Sequence, residues 1–376
     1  MKNVVVQSLL ERLTTGGDDP TSERIWRFSE RMAAVYIQQM EQFDEDEEAR
    51  QWHRLYSVNN MPEPSDTRCK TDVAAMMGFY SPTNFCKFQK LVTQQLLDWE
   101  AGQTQLNPYP LGASRITILD LGAGVGIASL AVIDVLSTWA DVVATLGYKQ
   151  LGISLHIVAV EPDINKQGPR RAMLSSMSKL LDRHSVNVEQ VTEVISPYPE
   201  PDCVKKMMDA AYGGSLVICC MSNFLSSPSV SEEGTAESFS LQAGDQPTDP
   251  PNGEESASFG QTAELLENAE RYAEATARLL ADIPFRNKLL LASELRQRGP
   301  AIRSFAASLH PSLELSVQWN RVRFYSPVGS YWHSLRSSRE SPNPDWATGF
   351  WSLAHLVQGS AGLGMGATGV QIPCRS

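Results

Sequence analysis

The chain has 376 residues, 42% of them hydrophobic and 20% charged, which is enough apolar material for one large α/β domain with an extension, or for two modest domains. Its formal net charge of -11 advertises no broad basic surface and disfavours tight phosphate-driven binding to nucleic acid, while leaving room for a local basic patch. The six cysteines (Cys69, Cys86, Cys203, Cys219, Cys220 and Cys374) contain no C-x-x-C pair and the six histidines no H-E-x-x-H spacing, so reduced thiols and no metal site are expected.

The stretch from Met1 to Leu10 is too short and too weakly apolar for a signal peptide, and no run of about 20 apolar residues marks a membrane span. An intracellular, soluble, cytoplasmic protein with no membrane partner is therefore expected. From Thr21 to about Tyr56, Ile25, Met32, Val35, Tyr36 and Phe43 fall at roughly helical spacing behind Ser22, a candidate cap. The acidic run Asp44 to Glu48 reads as a solvated helix face, and Asn59 to Ser65, with Pro62 and Pro64, as a turn. A second helix is expected to start at Ser81, with Pro82 in its first turn and Phe85, Phe88, Val92, Leu96 and Trp99 along one face.

The pattern changes at Ile116. Ile116 to Leu121 reads as a strand, followed by a glycine-rich turn and a helix carrying Ile127, Leu130, Ile133, Leu136, Val143 and Leu146. Leu155 to Val160 reads as a second strand ending in Glu161-Pro162-Asp163, with a helix over Ala172 to Leu181 and further strands over Val186 to Val194 and Ser215 to Cys220. Cys219 and Cys220 there are read as small buried strand residues. Such alternation implies a mainly parallel, doubly wound sheet covered on both faces. Between Lys206 and Arg271 there is no Lys or Arg, and 226–260 is rich in Ser, Glu, Gly and Pro. Its composition offers too little apolar surface to offset chain entropy, so a disordered acidic insertion is expected. A helix over Leu265 to Leu279, a strand over Leu289 to Ala292, a helix over Pro300 to Leu309, and strands over Leu313 to Trp319 and Val322 to Tyr325 follow.

The chemistry concentrates in Asp120-Leu121-Gly122-Ala123-Gly124-Val125-Gly126. Glycines allow positive φ and close backbone approach to a ligand, and the next helix aims its N-terminus at the same place, so a nucleotide-like cofactor is implied. A dinucleotide fingerprint would need its third glycine where Ile127 stands, and no Tyr-x-x-x-Lys pair supports a nicotinamide oxidoreductase.

The segment Asp120 to Gly126 resembles the class I methyltransferases position by position: an acidic residue, a hydrophobe, then G-x-G-x-G after the first strand. Glu161, ending the second strand, matches the acidic residue these enzymes carry there; a carboxylate accepts hydrogen bonds from both ribose hydroxyls and repels a 2′-phosphate. The resemblance spans roughly 116–325. It implies a seven-stranded, mainly parallel α/β sheet and S-adenosyl-L-methionine as cofactor. The implied cofactor residues are Asp120, Gly122, Ala123, Gly124, Gly126, Glu161, Pro162, Asp163 and Met221. The end of the fourth strand, Met221-Ser222-Asn223-Phe224, faces the transferring methyl in that family, and lacks the D/N-P-P-Y/F signature for amino groups of DNA bases or glutamine.

Asn223 and Tyr80 are the candidate catalytic residues, with His53 and His333 as further candidate bases. The aromatic segments Phe79-Tyr80 and Tyr331-Trp332-His333 are candidates for covering the cofactor or recognising the acceptor. The expected organisation is a helical N-terminal extension or lid over 1–110, a methyltransferase domain over 111–335 and a C-terminal tail over 336–376. The expected activity is methyl transfer by in-line displacement to a small molecule, a protein or an RNA. The alternative is a methyltransferase-like fold retained for partner binding.

Overall fold

The computed structural model describes residues 2–15, 24–52, 69–101, 115–147, 152–181, 185–211, 216–222, 224–225, 259–283, 287–295, 299–309, 318–325 and 346–358. Residues Arg115–Leu121 form β3 in the middle of the five parallel strands, and six of the seven are buried because the strand is covered on both faces. In chain order there follow α4 (Ile127–Thr145), β4 (Ile153–Val160), α5 (Gln167–Leu180), β5 (Val186–Val194), α6 (Pro201–Ala210), β6 (Leu216–Ser222), α7 (Phe259–Asp282), β7 (Asn287–Leu295), α8 (Gly299–Leu309), β8 (Gln318–Tyr325) and β9 (Trp346–Gln358). Ahead of β3 lie α1 (Lys2–Leu13), β1 (Thr14–Thr15), β2 (Ile25–Arg27), α2 (Glu30–Glu45) and α3 (Lys70–Ala101).

The sheet order is β1-β2-β8-β9-β7-β6-β3-β4-β5. The five neighbours β7, β6, β3, β4 and β5 are all parallel, while β9 runs antiparallel to both β7 and β8. The mainly parallel α/β sheet expected from the alternation is therefore present. Among the described residues it has nine strands, where the resemblance implies seven; β1 and β2 are of only two and three residues, with β2 pairing in parallel to β8.

Side-chain alternation divides the core in two. Ile116 and Ile118 of β3 join α4 and α5 on one face, whereas Leu119 and Leu121 join α6, α7 and α8 on the other. Helix α4 buries residues nearly all round, from Ile127 to Val143. It is long and apolar enough, by length and composition, to cross a membrane, but its apolar surface is satisfied by packing between the sheet and the N-terminal helices.

Several boundaries differ from the sequence-based expectation. Helix α2 begins at Glu30, capped by Ser29, whose Oγ accepts from Met32 N at 3.2 Å; Ile25, assigned by its spacing to that helix, instead starts β2. Pro82 lies inside α3 rather than in a first turn, because the apolar positions Val73, Ala74 and Met77 continue the buried face N-terminal to it. Helix α6, of ten residues, buries only Cys203 and Met207 and is not among the elements expected from the sequence. Trp319 and Val322, expected in separate strands, belong to one: Asn320 and Arg321 between them sit within β8 and pair with β9. The segment 336–376, expected as a tail, supplies β9 to the sheet. The insertion expected over 226–260 lies outside the described residues up to 258, and α7 already begins at Phe259.

The N-terminal helices share the core of the sheet. Leu9, Leu13, Met32, Tyr36, Phe85 and Phe88 belong to the same apolar cluster as Ile118 and Leu130. Phe28 packs its ring 4.2 Å from Phe85 and 5.4 Å from Tyr36, and the Tyr36 hydroxyl donates to Met77 O at 2.8 Å. A buried polar knot fixes the arrangement. Ser29 Oγ donates to Asp134 Oδ1, and Gln89 Nε2 donates to Asp134 Oδ2 at 3.2 Å and to Arg27 O at 3.0 Å. Burial pushes the Asp134 carboxyl up to about 6, against the lowering effect of the Ser29 hydrogen bond.

A folded-state value above the unfolded one means that this carboxyl favours folding when protonated, and that its contribution is lost as pH rises through about 6. Asp134→Asn keeps neutral hydrogen-bonding capacity there. The stability of the variant, measured by urea unfolding from pH 4 to pH 7, should therefore rise relative to wild type by up to roughly 3 kcal/mol across that window. A constant difference between the two proteins would exclude this role.

Candidate functional site

The parallel strands reverse their winding beside β3: β4 and β5 are laid down on one side, and β6 and β7 on the other. In an open α/β sheet the crevice outside the carboxyl ends of the strands at such a switch point is where ligands bind. Here that crevice is a cleft of about 210 Å³, bordered by the glycine loop, Glu161 to Asp163, Lys166, Ser222 and Phe224, with Tyr198 and Tyr272 from one face and Met76, Tyr80, Ser81 and Asn84 of α3 from the other.

The loop between β3 and α4 needs its glycines. Gly122, Gly124 and Gly126 have φ of 66°, 53° and 83°, the left-handed region that other residues enter at a cost of about 1 kcal/mol or more. At Gly122 a Cβ would lie 2.2 Å from the Phe224 ring, and at Gly126 it would lie 2.9 Å from Arg170 Cγ, whereas at Gly124 the nearest neighbour is 4.0 Å away. The cleft is thus open at Gly124 and closed by packing at the other two. Ala123 N donates to Val160 O at 2.9 Å, tying the loop to the end of β4.

Glu161 follows β4, and only 6% of its surface is exposed. One carboxylate oxygen accepts from Gly124 N at 2.8 Å and the other from Asp163 N at 3.0 Å. The Lys166 ammonium stands 3.7 Å from Glu161 and 3.5 Å from Asp163. Gly122, Ala123, Gly124, Glu161, Pro162 and Asp163 all border the cleft as the sequence places them, and Tyr80 joins them from α3.

Three of the expected cofactor residues do not border the cleft. Asp120 does not border the cleft; its Oδ2 accepts from Ser129 N at 3.1 Å and from Ser129 Oγ at 2.6 Å, so the carboxylate anchors the first turn of α4, where the helix dipole favours negative charge. Burial pushes its carboxyl up to about 6, with the Ser129 hydrogen bonds acting against that shift. Gly126 likewise stands behind the cleft wall, as the left-handed residue before α4. Met221 is fully buried in the apolar cluster with Leu121 and Val158, because alternation along β6 turns it to the α6–α8 face; Ser222 and Phe224 border the cleft instead. Asn223, His53, Tyr331, Trp332 and His333 lie outside the described residues.

The residue that organises the loop is absent from the motif. Arg170 of α5 is 1% exposed. It donates to the Gly124 carbonyl and to both carboxylate oxygens of Glu193, with Nε at 3.0 and 3.2 Å and a closer contact through the outer guanidinium nitrogen. Its sequence signal is an arginine heading the buried stripe Arg170, Met173, Leu174 and Met177, a position where an unpaired charge is not tolerated.

No protein-family model matches the chain, and no curated protein matches it. Among solved structures the chain is similar to an antibiotic-related methyltransferase, at 10% identity over 66% of this chain and 91% of the other, with a TM-score of 0.26. It is also similar to a putative class I S-adenosylmethionine-dependent methyltransferase from Listeria monocytogenes, at 9% identity over 97% of this chain and 90% of the other, with a TM-score of 0.32.

Removing one member of a buried ion pair leaves the other desolvated and unpaired, at a cost of about 3–5 kcal/mol. Arg170→Met should lose that much unfolding free energy, and Arg170→Met with Glu193→Gln should regain part of it. Urea denaturation of both proteins tests this; a single variant within about 1 kcal/mol of wild type would show that the pair does not hold the loop.

Proposed function

We propose that this chain is an S-adenosylmethionine-dependent methyltransferase. The observation that carries the reading is the joint position of Glu161 and Gly124, a carboxylate and a left-handed glycine held against each other at 2.8 Å on the wall of the switch-point cleft. Gly124 leaves the loop open where a ligand would lie against its backbone. The cofactor would be held by the backbone of Gly122 to Gly124 and by Glu161, whose remaining lone pairs suit a pair of ribose hydroxyls, with Pro162 and Asp163 completing that wall. It supplies an activated methyl group for direct transfer to a nucleophile.

The protein's own work is to align the acceptor and to exclude water, which is where proximity and desolvation supply rate. Tyr80, bordering the cleft from α3, positions the acceptor in this reading. The N-terminal helices then form part of the site rather than an appendage to it.

Calorimetric titration with S-adenosylmethionine, S-adenosylhomocysteine and, as control, NAD tests the proposal. Binding of the first two and none of NAD is expected. Glu161→Ala should weaken S-adenosylhomocysteine binding about tenfold to a hundredfold, the range for a charge-assisted hydrogen bond. Gly124→Arg, which fills the open part of the loop, should abolish it. Unchanged affinity in both variants, or NAD binding in place of the sulfonium cofactor, would overturn the reading.

A further inference from the structure

The edge of the sheet away from the N-terminal strands is open. Strand β5 ends the strand order there, and among the described residues β4 is its one neighbour. Val194 O accepts from Glu161 N, so by alternation Val191 and Glu193 turn their backbone N–H and C=O away from β4. A bulge at Glu189, the residue passed over between the partners of Leu155 and His156, bends the first half of β5 and leaves 190–194 as the regular stretch.

Apolar surface gathers at the same edge. Of the six large apolar side chains exposed among the described residues, four (Ile164, Leu180, Val191 and Ile195) stand on β5, just after it, or at the two ends of α5. Exposed apolar side chains scattered singly are ordinary, whereas a cluster beside an open strand marks an interaction surface. Between α5 and β5 runs a groove of about 680 Å³, to which Leu174, Val188 and Val191 give an apolar part and which Arg171 and Lys179 border from α5.

Charge decides what fits there. Four cations, Arg115, Arg170, Arg171 and Lys179, stand along this edge against two carboxylates, Glu189 and Glu193. Glu189 pairs with Arg115 at 2.8 Å, and Glu193 is buried against Arg170. Arg171, its side chain 60% exposed, stands 3.7 Å from that already paired Glu193, and Lys179 is exposed. The groove therefore carries surplus positive charge in a chain whose net charge is -11. Helix α5 has no acidic residue, so a second copy joined edge to edge would lay its α5 antiparallel beside this one and set Arg171 and Lys179 against like charges.

We propose that the β5 edge is a docking site for an extended acidic segment of a partner protein, which adds to β5 as a further strand and lies along the groove beside α5. Arg171 and Lys179 are eight positions apart on one helix, a rise of about 12 Å. Four residues of extended chain span about 13 Å. The segment that fits carries acidic residues four positions apart, opposite Arg171 and Lys179, with an apolar residue midway over Leu174 and Val191. Its backbone pairs with the outward N–H and C=O groups of Val191 and Glu193. This reading is independent of the cofactor.

The test uses the full chain and three capped peptides. Thr-Glu-Thr-Val-Thr-Glu-Thr has the required spacing, Glu-Glu-Thr-Val-Thr-Thr-Thr has the same composition with the charges bunched, and Thr-Lys-Thr-Val-Thr-Lys-Thr reverses the charge. The first should bind more tightly than either of the others, about fivefold or more, and Arg171→Gln with Lys179→Gln should remove that advantage. On binding, residue-resolved hydrogen exchange should slow at the Val191 and Glu193 amides. Binding of none of the peptides, equal binding of the bunched or the lysine peptide, an advantage unaltered in the double variant, or unchanged exchange at both amides would overturn the proposal. So would a dimer in sedimentation whose Val191 and Glu193 amides are already protected, since the edge would then belong to a second copy.

Discussion

The site depends on the backbone of Gly124 being held from both sides by opposite charges. Its amide donates to the Glu161 carboxylate and its carbonyl accepts from the Arg170 guanidinium. A loop with three left-handed glycines has many alternative shapes; two charge-assisted contacts to one residue select among them. Neither partner is free to wander. Glu161 follows β4, and its own amide donates to Val194 O at 3.1 Å, while Arg170 is locked to Glu193 at the end of β5. Three neighbouring strand ends thus converge on one residue, Gly124.

The N-terminal third supports the same place from the other side. Helix α3 passes over the carboxyl ends of the strands and lends Met76, Tyr80, Ser81 and Asn84 to the cleft, while Phe85, Phe88 and Leu91, further along, are buried in the core. The knot of Ser29, Gln89 and Asp134 joins the start of α2, the middle of α3 and the middle of α4. Buried networks of this kind are costly when partly satisfied and specify one packing when complete. The position of the cleft wall and the integrity of the core are therefore a single problem for this chain.

The central strands were legible in the sequence because each is a short apolar run closed by turn residues. The glycine loop and Glu161 were legible because their spacing is local. The roles of Asp120 and Met221 were not, since which face a strand-end residue takes depends on the strand's register with its neighbours: one position earlier or later exchanges cleft for core. Arg170 and Glu193 lie 23 positions apart and meet only because α5 returns the chain to β5. Strand β9 falls in the segment expected as a C-terminal tail, since its pairing with β7 and β8 leaves no local mark. Tyr198 and Tyr272 come from separate parts of the chain, and their closeness to Phe224 is a property of the folded sheet alone.

The contact between Gly126 and Arg170 also constrains how the protein can diverge. A side chain at 126 needs the room taken by the aliphatic part of Arg170, and shortening residue 170 leaves Glu193 charged and buried. Positions 126, 170 and 193 should therefore change together or not at all among related chains, and a relative with a side chain at the first would be recognised by a small residue at the second and a neutral one at the third.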